Sequence, residues 1–184
     1  AGHGVLTVLN NEIQAARDVT KTNSYRLETF RSNELGCLGY ADSDEQAVFY
    51  RTTTKSHTQD AEFDIDSVHT LPRVDIAYAY AGADGLLVRA LVEAGVAGIV
   101  AGGLGSGGSP SKMMAALKTA TQSGIPVVIA TQTGNGRVVR TRRYDEDGYI
   151  VADNLSPKKT RILLMLALTK TKDPEEIQRM MLTY

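Results

Sequence analysis

Apolar positions follow three rhythms along this chain, and each predicts a different kind of element. The first is Val5-Leu6-Thr7-Val8-Leu9, a run of strand length closed by the turn formers Asn10-Asn11. So close to the first residue, it reads either as an ordinary N-terminal strand or as a central strand whose preceding sequence is missing. From Glu12 to about Thr70 the residues are mixed and polar, with short β-type runs such as Gln46-Ala47-Val48-Phe49-Tyr50 and no helical period. Strands and loops are expected there.

The third rhythm begins after Leu71-Pro72-Arg73. Val74 to Tyr80 predicts a strand, and Leu86-Leu87, Ala90-Leu91 and Ala94 recur at helical spacing until Gly95 ends the helix as a C′ glycine. A short apolar strand, Gly98 to Ala101, is followed by a glycine-rich turn, a helix from about Pro110 to Gln122 closed by Gly124, and the strand Pro126 to Ala130. Apolar strands separated by single helices predict a parallel sheet buried on both faces. Two helices end the chain. Ser156 caps the first, with Pro157 at its first position and Ile162 to Leu168 apolar all round, so burial is expected on every side. Asp173-Pro174 opens the second, from Glu175 to about Leu182. Between these elements Arg137 to Asp147, mixing Arg140, Arg142 and Arg143 with Asp145, Glu146 and Asp147, reads as a solvated hairpin or loop.

Composition narrows the function classes. The 184 residues carry 20 Lys+Arg against 21 Asp+Glu, a net charge of -1, which argues against nucleic-acid or membrane-surface binding driven by charge. No run of about 18 apolar residues offers a membrane span, and the first residues lack a signal-peptide pattern. Cys37 is the one cysteine, so no internal disulfide forms. His3, His57 and His69 have no metal-ligand spacing, so no metal site is expected, and no motif for a cofactor is read in the sequence. Neither a serine nor a cysteine hydrolase pattern is present, and Met113-Met114 and Met180-Met181 read as packing.

Two stretches are candidates for chemistry. Ala101 to Pro110 holds five glycines between a parallel strand and a helix, where open backbone N–H groups suit a carboxylate or phosphate. The bland alternative is a tight strand-to-helix turn. Arg17-Asp18-Val19-Thr20-Lys21-Thr22-Asn23 gathers a cation, a carboxylate and hydroxyls. A lysine beside hydroxyls can act as a base or relay, and the competing reading is a surface strand of alternating polar residues.

The blocks Gly4 to Asn10, Ala16 to Asn23, Thr29-Phe30-Arg31-Ser32, Leu38-Gly39-Tyr40, Leu71 to Ile76, the glycine turn, Thr133-Gly134-Asn135-Gly136 and Arg161 to Thr169, in that order, resemble the later part of bacterial type II L-asparaginases and glutaminase-asparaginases. The resemblance implies an α/β fold. Residues 1–54 would be the end of a larger α/β domain, 55–72 a linker, and 73–184 a complete smaller domain with a parallel sheet flanked by helices in flavodoxin-like layers. It implies an amidohydrolase that converts L-asparagine, and L-glutamine, to the acid and ammonia through a threonine nucleophile. Lys21 would be the catalytic relay lysine, and Gly107, Gly108 and Ser109 the substrate-binding positions.

Family members carry the nucleophilic threonine in a T-G-G-T-I-type strand, with a mobile tyrosine and a T-D-T motif, all upstream of the region matched here. The chain alone is therefore expected to be inactive, its partners being the upstream half and further copies in a homotetramer. Gly108 stands where many relatives have asparagine or serine, and Arg140-Thr141-Arg142-Arg143 where many present a glutamate, leaving Asp145 or Glu146 as substitutes. Type II resemblance implies a periplasmic or secreted enzyme, type I relatives being cytoplasmic. The alternative is a non-enzymatic module that holds a small anionic ligand at the glycine turn or mediates oligomer assembly.

Overall fold

The computed structural model describes residues 2–184 and divides into two compact units, 1–62 and 63–184. The first unit is antiparallel. Strands β1 (Leu6–Leu9) and β2 (Glu12–Ala15) form a hairpin, then β5 (Gly39–Ala41) and β6 (Ala47–Phe49) extend the sheet in the order β1-β2-β5-β6. Asn10 and Asn11 both hold positive φ, 48° and 62°, as a two-residue hairpin turn requires, and Asn tolerates that conformation better than other side chains. Among the described residues β1 is the outermost strand of this sheet, and Val5 and Val8 stand exposed. A separate ribbon pairs β3 (Thr20–Lys21) with β4 (Phe30–Arg31). Buried Gln14 joins the two sheets, its carbonyl accepting from the Ser32 N–H at 3.2 Å.

The second unit is a three-layer α/β/α sandwich. Strands β7 (Val74–Tyr78), β8 (Gly98–Gly103), β9 (Val127–Thr131) and β10 (Ile150–Val151) are all parallel in the order β10-β9-β8-β7. Alternate strand residues feed opposite faces. Ile99, Ala101, Val127 and Ile129 pack under α1 (Leu86–Glu93) and α2 (Ser111–Gln122), which present Val88, Leu91, Met113 and Leu117. Val100, Val128, Ala130 and Ile150 pack against α4 (Pro157–Ala167) and α5 (Pro174–Thr183), which present Leu163, Leu164, Ile177 and Met181. Each such fully buried side chain contributes about 1.5–3 kcal/mol. Gly98 lets α4 approach, because a Cβ there would come within 3.0 Å of Leu164 and Leu168.

Three local expectations are revised. Residues 142–146 form a short helix, α3 (Arg142–Glu146), rather than a hairpin or loop. Thr141 caps it by accepting from the Tyr144 N–H. Helix α4 is not buried all round, for Ile162 is 52% exposed. Ser156 stands at the N-cap of α4 but its side chain makes no capping bond. Instead Thr160, fully buried, hydrogen-bonds the Ser156 carbonyl at 2.9 Å. The outer edge of β10 is closed by a side chain: buried Gln178 accepts from the Val151 N–H at 2.9 Å and donates to the Val151 carbonyl at 3.1 Å, as a neighbouring strand would. No helix among the described residues is long and apolar enough to cross a membrane.

Candidate active-site elements

Lys21 ends the short strand β3 in the first unit, paired in register with Phe30. It is exposed, and its ammonium has no ion-pair or hydrogen-bond partner among the described residues. The loop that follows is closed on itself. Thr22 donates its hydroxyl to the Thr29 carbonyl at 2.9 Å, Thr29 Oγ1 accepts from the Asn23 N–H at 2.8 Å, and Asn23 Oδ1 accepts from the N–H groups of Tyr25 and Arg26. Upstream, Arg17 and Asp18 form a 3.0 Å ion pair with both side chains largely covered. So the polar stretch does not gather around Lys21: the Thr22 hydroxyl is committed to the backbone and the lysine stands apart.

Gly107, Gly108 and Ser109 lie together in the second unit, between β8 and α2 at the carboxyl end of the parallel sheet, where open α/β sheets bind ligands. The turn folds back as a small hairpin. Leu104 donates to the Gly108 carbonyl at 2.7 Å, and its own carbonyl accepts from the N–H groups of both Gly107 (3.0 Å) and Gly108 (2.8 Å). These two N–H groups are therefore engaged inside the turn and do not form an open anion cradle. Gly107 is required sterically, since φ is +101° and a Cβ would meet Ile129 Cγ2 at 2.7 Å. Ser109 Oγ is buried with no hydrogen-bond partner.

Neighbouring loops complete this end of the sheet. After β7, Asp84 Oδ1 accepts from the Leu86 N–H at 2.9 Å at the start of α1. That hydrogen bond holds the Asp84 carboxyl below the usual carboxylate range. At the end of β9, Thr131 and Gln132 bond to the segments beside them. Thr131, buried, donates to the Gly105 carbonyl at 2.5 Å and lies 2.8 Å from Thr133 Oγ1. Gln132 donates both amide hydrogens, to Ala79 and Gly102 carbonyls, each at 2.7 Å. Nothing in the spacing of Thr131 and Gln132 along the chain signals these contacts.

The acidic substitutes are occupied elsewhere. Asp145 pairs with Arg140, and Glu146 pairs with Arg142 at 2.8 Å. Arg140 also grips Glu175 of α5 through two bonds of 3.0 and 2.6 Å, which hold the Glu175 carboxyl low and push the Arg140 guanidinium up. Among the described residues no group of three or more His, Cys, Asp and Glu side chains converges as a cation site.

Comparison with known proteins decides the family. Residues 73–181 match the Glutaminase/Asparaginase C-terminal domain, and residues 1–55 match Asparaginase, N-terminal. The chain belongs to the glutaminase/asparaginase family. It is 42% identical over 177 residues to L-asparaginase 2 of Bacillus subtilis, covering 96% of this chain and 47% of that protein. Over 181 residues it is 37% identical to the probable periplasmic L-asparaginase of Haemophilus influenzae, covering 97% and 52%. A probable cytoplasmic L-asparaginase from Campylobacter jejuni superposes with a TM-score of 0.93 at 39% identity, covering 97% of this chain and 57% of that one. This asparaginase-family chain thus spans about half the length of the relatives it matches, and its α/β architecture is shared with a solved L-asparaginase.

Proposed function

We propose that this chain supplies part of the active site of an amidohydrolase that converts L-asparagine, and L-glutamine, to the acid and ammonia. The observation that carries the reading is its likeness, over 96% of its length, to a protein named L-asparaginase. A threonine hydroxyl from outside these 184 residues attacks the side-chain amide carbon. Lys21, through its relay, takes the hydroxyl proton as the C–O bond forms. That proton passes to the amide nitrogen as the C–N bond breaks, ammonia leaves, and water then hydrolyses the resulting ester to the free acid and the threonine hydroxyl. Support comes from the Lys21 side chain, which is exposed at the end of a two-residue strand, has no partner among the described residues and is therefore open to a relay from outside them.

In this reading Gly107, Gly108 and Ser109 contribute to substrate binding in a homotetramer. The unpartnered Ser109 hydroxyl is the group with hydrogen-bonding capacity to spare, since the Gly107 and Gly108 N–H groups are engaged. Residues 1–54 act as the end of a larger domain, 55–72 as a linker and 73–184 as the smaller domain. Support comes from the two family matches, one ending at residue 55 and the other starting at 73. Export to the periplasm or beyond follows the likeness to a relative named periplasmic.

The test is ammonia release from L-asparagine by the purified chain, alone and co-expressed with an asparaginase amino-terminal segment. Turnover is expected only in the pair, and Lys21→Met should lower its kcat/KM at least about a hundredfold. Turnover by the chain alone would overturn the external nucleophile. An inactive pair whose 63–184 unit is nonetheless stabilised by aspartate would favour the non-enzymatic binding module.

A further inference from the structure

The carboxyl ends of β7, β8 and β9 are joined by one side chain, and that side chain is Gln132. Its backbone N–H donates to the Gly103 carbonyl at 2.9 Å, as a continuation of the β8–β9 ladder. Its side-chain Nε2 then reaches sideways, donating one hydrogen to the Ala79 carbonyl just past β7 and the other to the Gly102 carbonyl in β8, each at 2.7 Å. The Gly102 carbonyl accepts a second bond, from the Ala79 N–H at 2.8 Å. Two carbonyl acceptors leave only one assignment for the amide, with nitrogen toward both.

Support for the glycine turn is otherwise narrow. Gly103 and Gly105 bring no side chains, and from outside the turn its carbonyls are held by Gln132 N–H at Gly103 and by the Thr131 hydroxyl at Gly105. The two anchors are consecutive residues, Thr131 at the end of β9 and Gln132 just past it. Gln132 is also what connects that strand end to the chain leaving β7, where Tyr80 and Asp84 lie. A side chain that makes two short bonds, one to a carbonyl of β8 and one to a carbonyl just past β7, sets the spacing between the ends of those strands.

We propose that Gln132 is a positioning residue: its side chain ties Gly102, the residue from which the turn Gly103 to Gly108 springs, to the chain leaving β7, and so fixes the base of the turn and through it the affinity for substrate. This rests on the reading of Gly107, Gly108 and Ser109 as substrate-binding positions. Gln132 acts through those residues and performs no chemistry. If the turn is binding-competent only when laced, releasing it lowers the competent fraction and raises the apparent dissociation constant by the same factor. The chemical step, carried out elsewhere, keeps its rate, so KM rises and kcat does not fall.

Gln132→Met keeps length and removes both donors, whereas Gln132→Arg keeps donors able to reach two carbonyls. In the reconstituted pair, Q132M is expected to raise KM for L-asparagine about tenfold with kcat within about twofold, and Q132R to recover most of that loss. In the same Q132M chain, amide hydrogen exchange at Gly107 and Gly108 should speed up at least about tenfold while β8 and β9 stay protected. A lowered melting temperature with unchanged KM and unchanged exchange at the turn would show a merely structural residue and overturn the proposal. Active wild-type pair with an unaltered Q132M fails this inference alone; an inactive wild-type pair fails the activity reading itself.

Discussion

The two units solve the burial problem differently. In residues 63–184 a parallel sheet is covered on both faces, and fully buried Val, Ile and Leu come from every strand and from four of the five helices. Among the described residues of the first unit the buried apolar side chains are Ile13, Ala15 and Leu38, while Val5, Val8, Tyr25, Leu27, Leu35 and Tyr50 are exposed. Order in the first unit comes instead from hydrogen bonds: the Asn10-Asn11 turn, the Gln14 link and the closed loop from Thr22 to Thr29. Hydrogen bonds net only about 0.5–1.5 kcal/mol each, less than a buried aliphatic side chain. The second unit should therefore carry most of the stability, and the first, which bears Lys21, should open at lower cost.

The comparison is tested most severely by Leu164→Ala. Leu164 is completely buried against β8, so the cavity should cost about 2–5 kcal/mol. Urea unfolding followed by a probe in each unit would register it in residues 63–184; an equal shift in the first unit would mean that the two unfold as one. Gly39→Ala is the complementary change, because a Cβ there would fall on the Val48 carbonyl and the backbone of Phe49, forcing β5 and β6 apart. Loss of about 1–3 kcal/mol is expected, seen as faster hydrogen exchange in β5 and β6 with β8 and β9 unchanged.

The smallest effect is electrostatic. Glu175 is held below its ordinary value of 4.5 by Arg140, so its contribution is present above that value and is lost as pH falls through the lower, folded one. Glu175→Gln should lower stability slightly above about 4.5 and not at lower pH, flattening the acid limb by that same small amount, because the pair is exposed. An undiminished acid limb would show that other carboxylates govern it.

Legibility follows the same division. The parallel strands and helices α1, α2, α4 and α5 were readable because burial on both faces imposes apolar runs and 3.6-residue periodicity on the chain itself. Helix α3 was not: it is five residues long with no buried side chain, and its charge pattern is equally that of a loop. Ile162 misleads for a related reason, since hydrophobicity states a preference while neighbouring layers decide which side of α4 is covered. Lys21 and the glycine turn were visible as candidates through residue type and family likeness.

By itself, then, the sequence determined the α/β class of residues 73–184, the order of their elements and the glycines that end the helices, all of which depend on local backbone preference and one-dimensional pattern. Only the tertiary structure closed the glycine turn on Leu104, set Gln178 against β10 and joined the ends of β8 and β9 to the chain leaving β7 through Gln132. Those features pair groups far apart along the chain, 53 residues in the case of Gln132 and Ala79. A donor's partner at that separation is chosen by the packing of the layers between them, which no local pattern encodes.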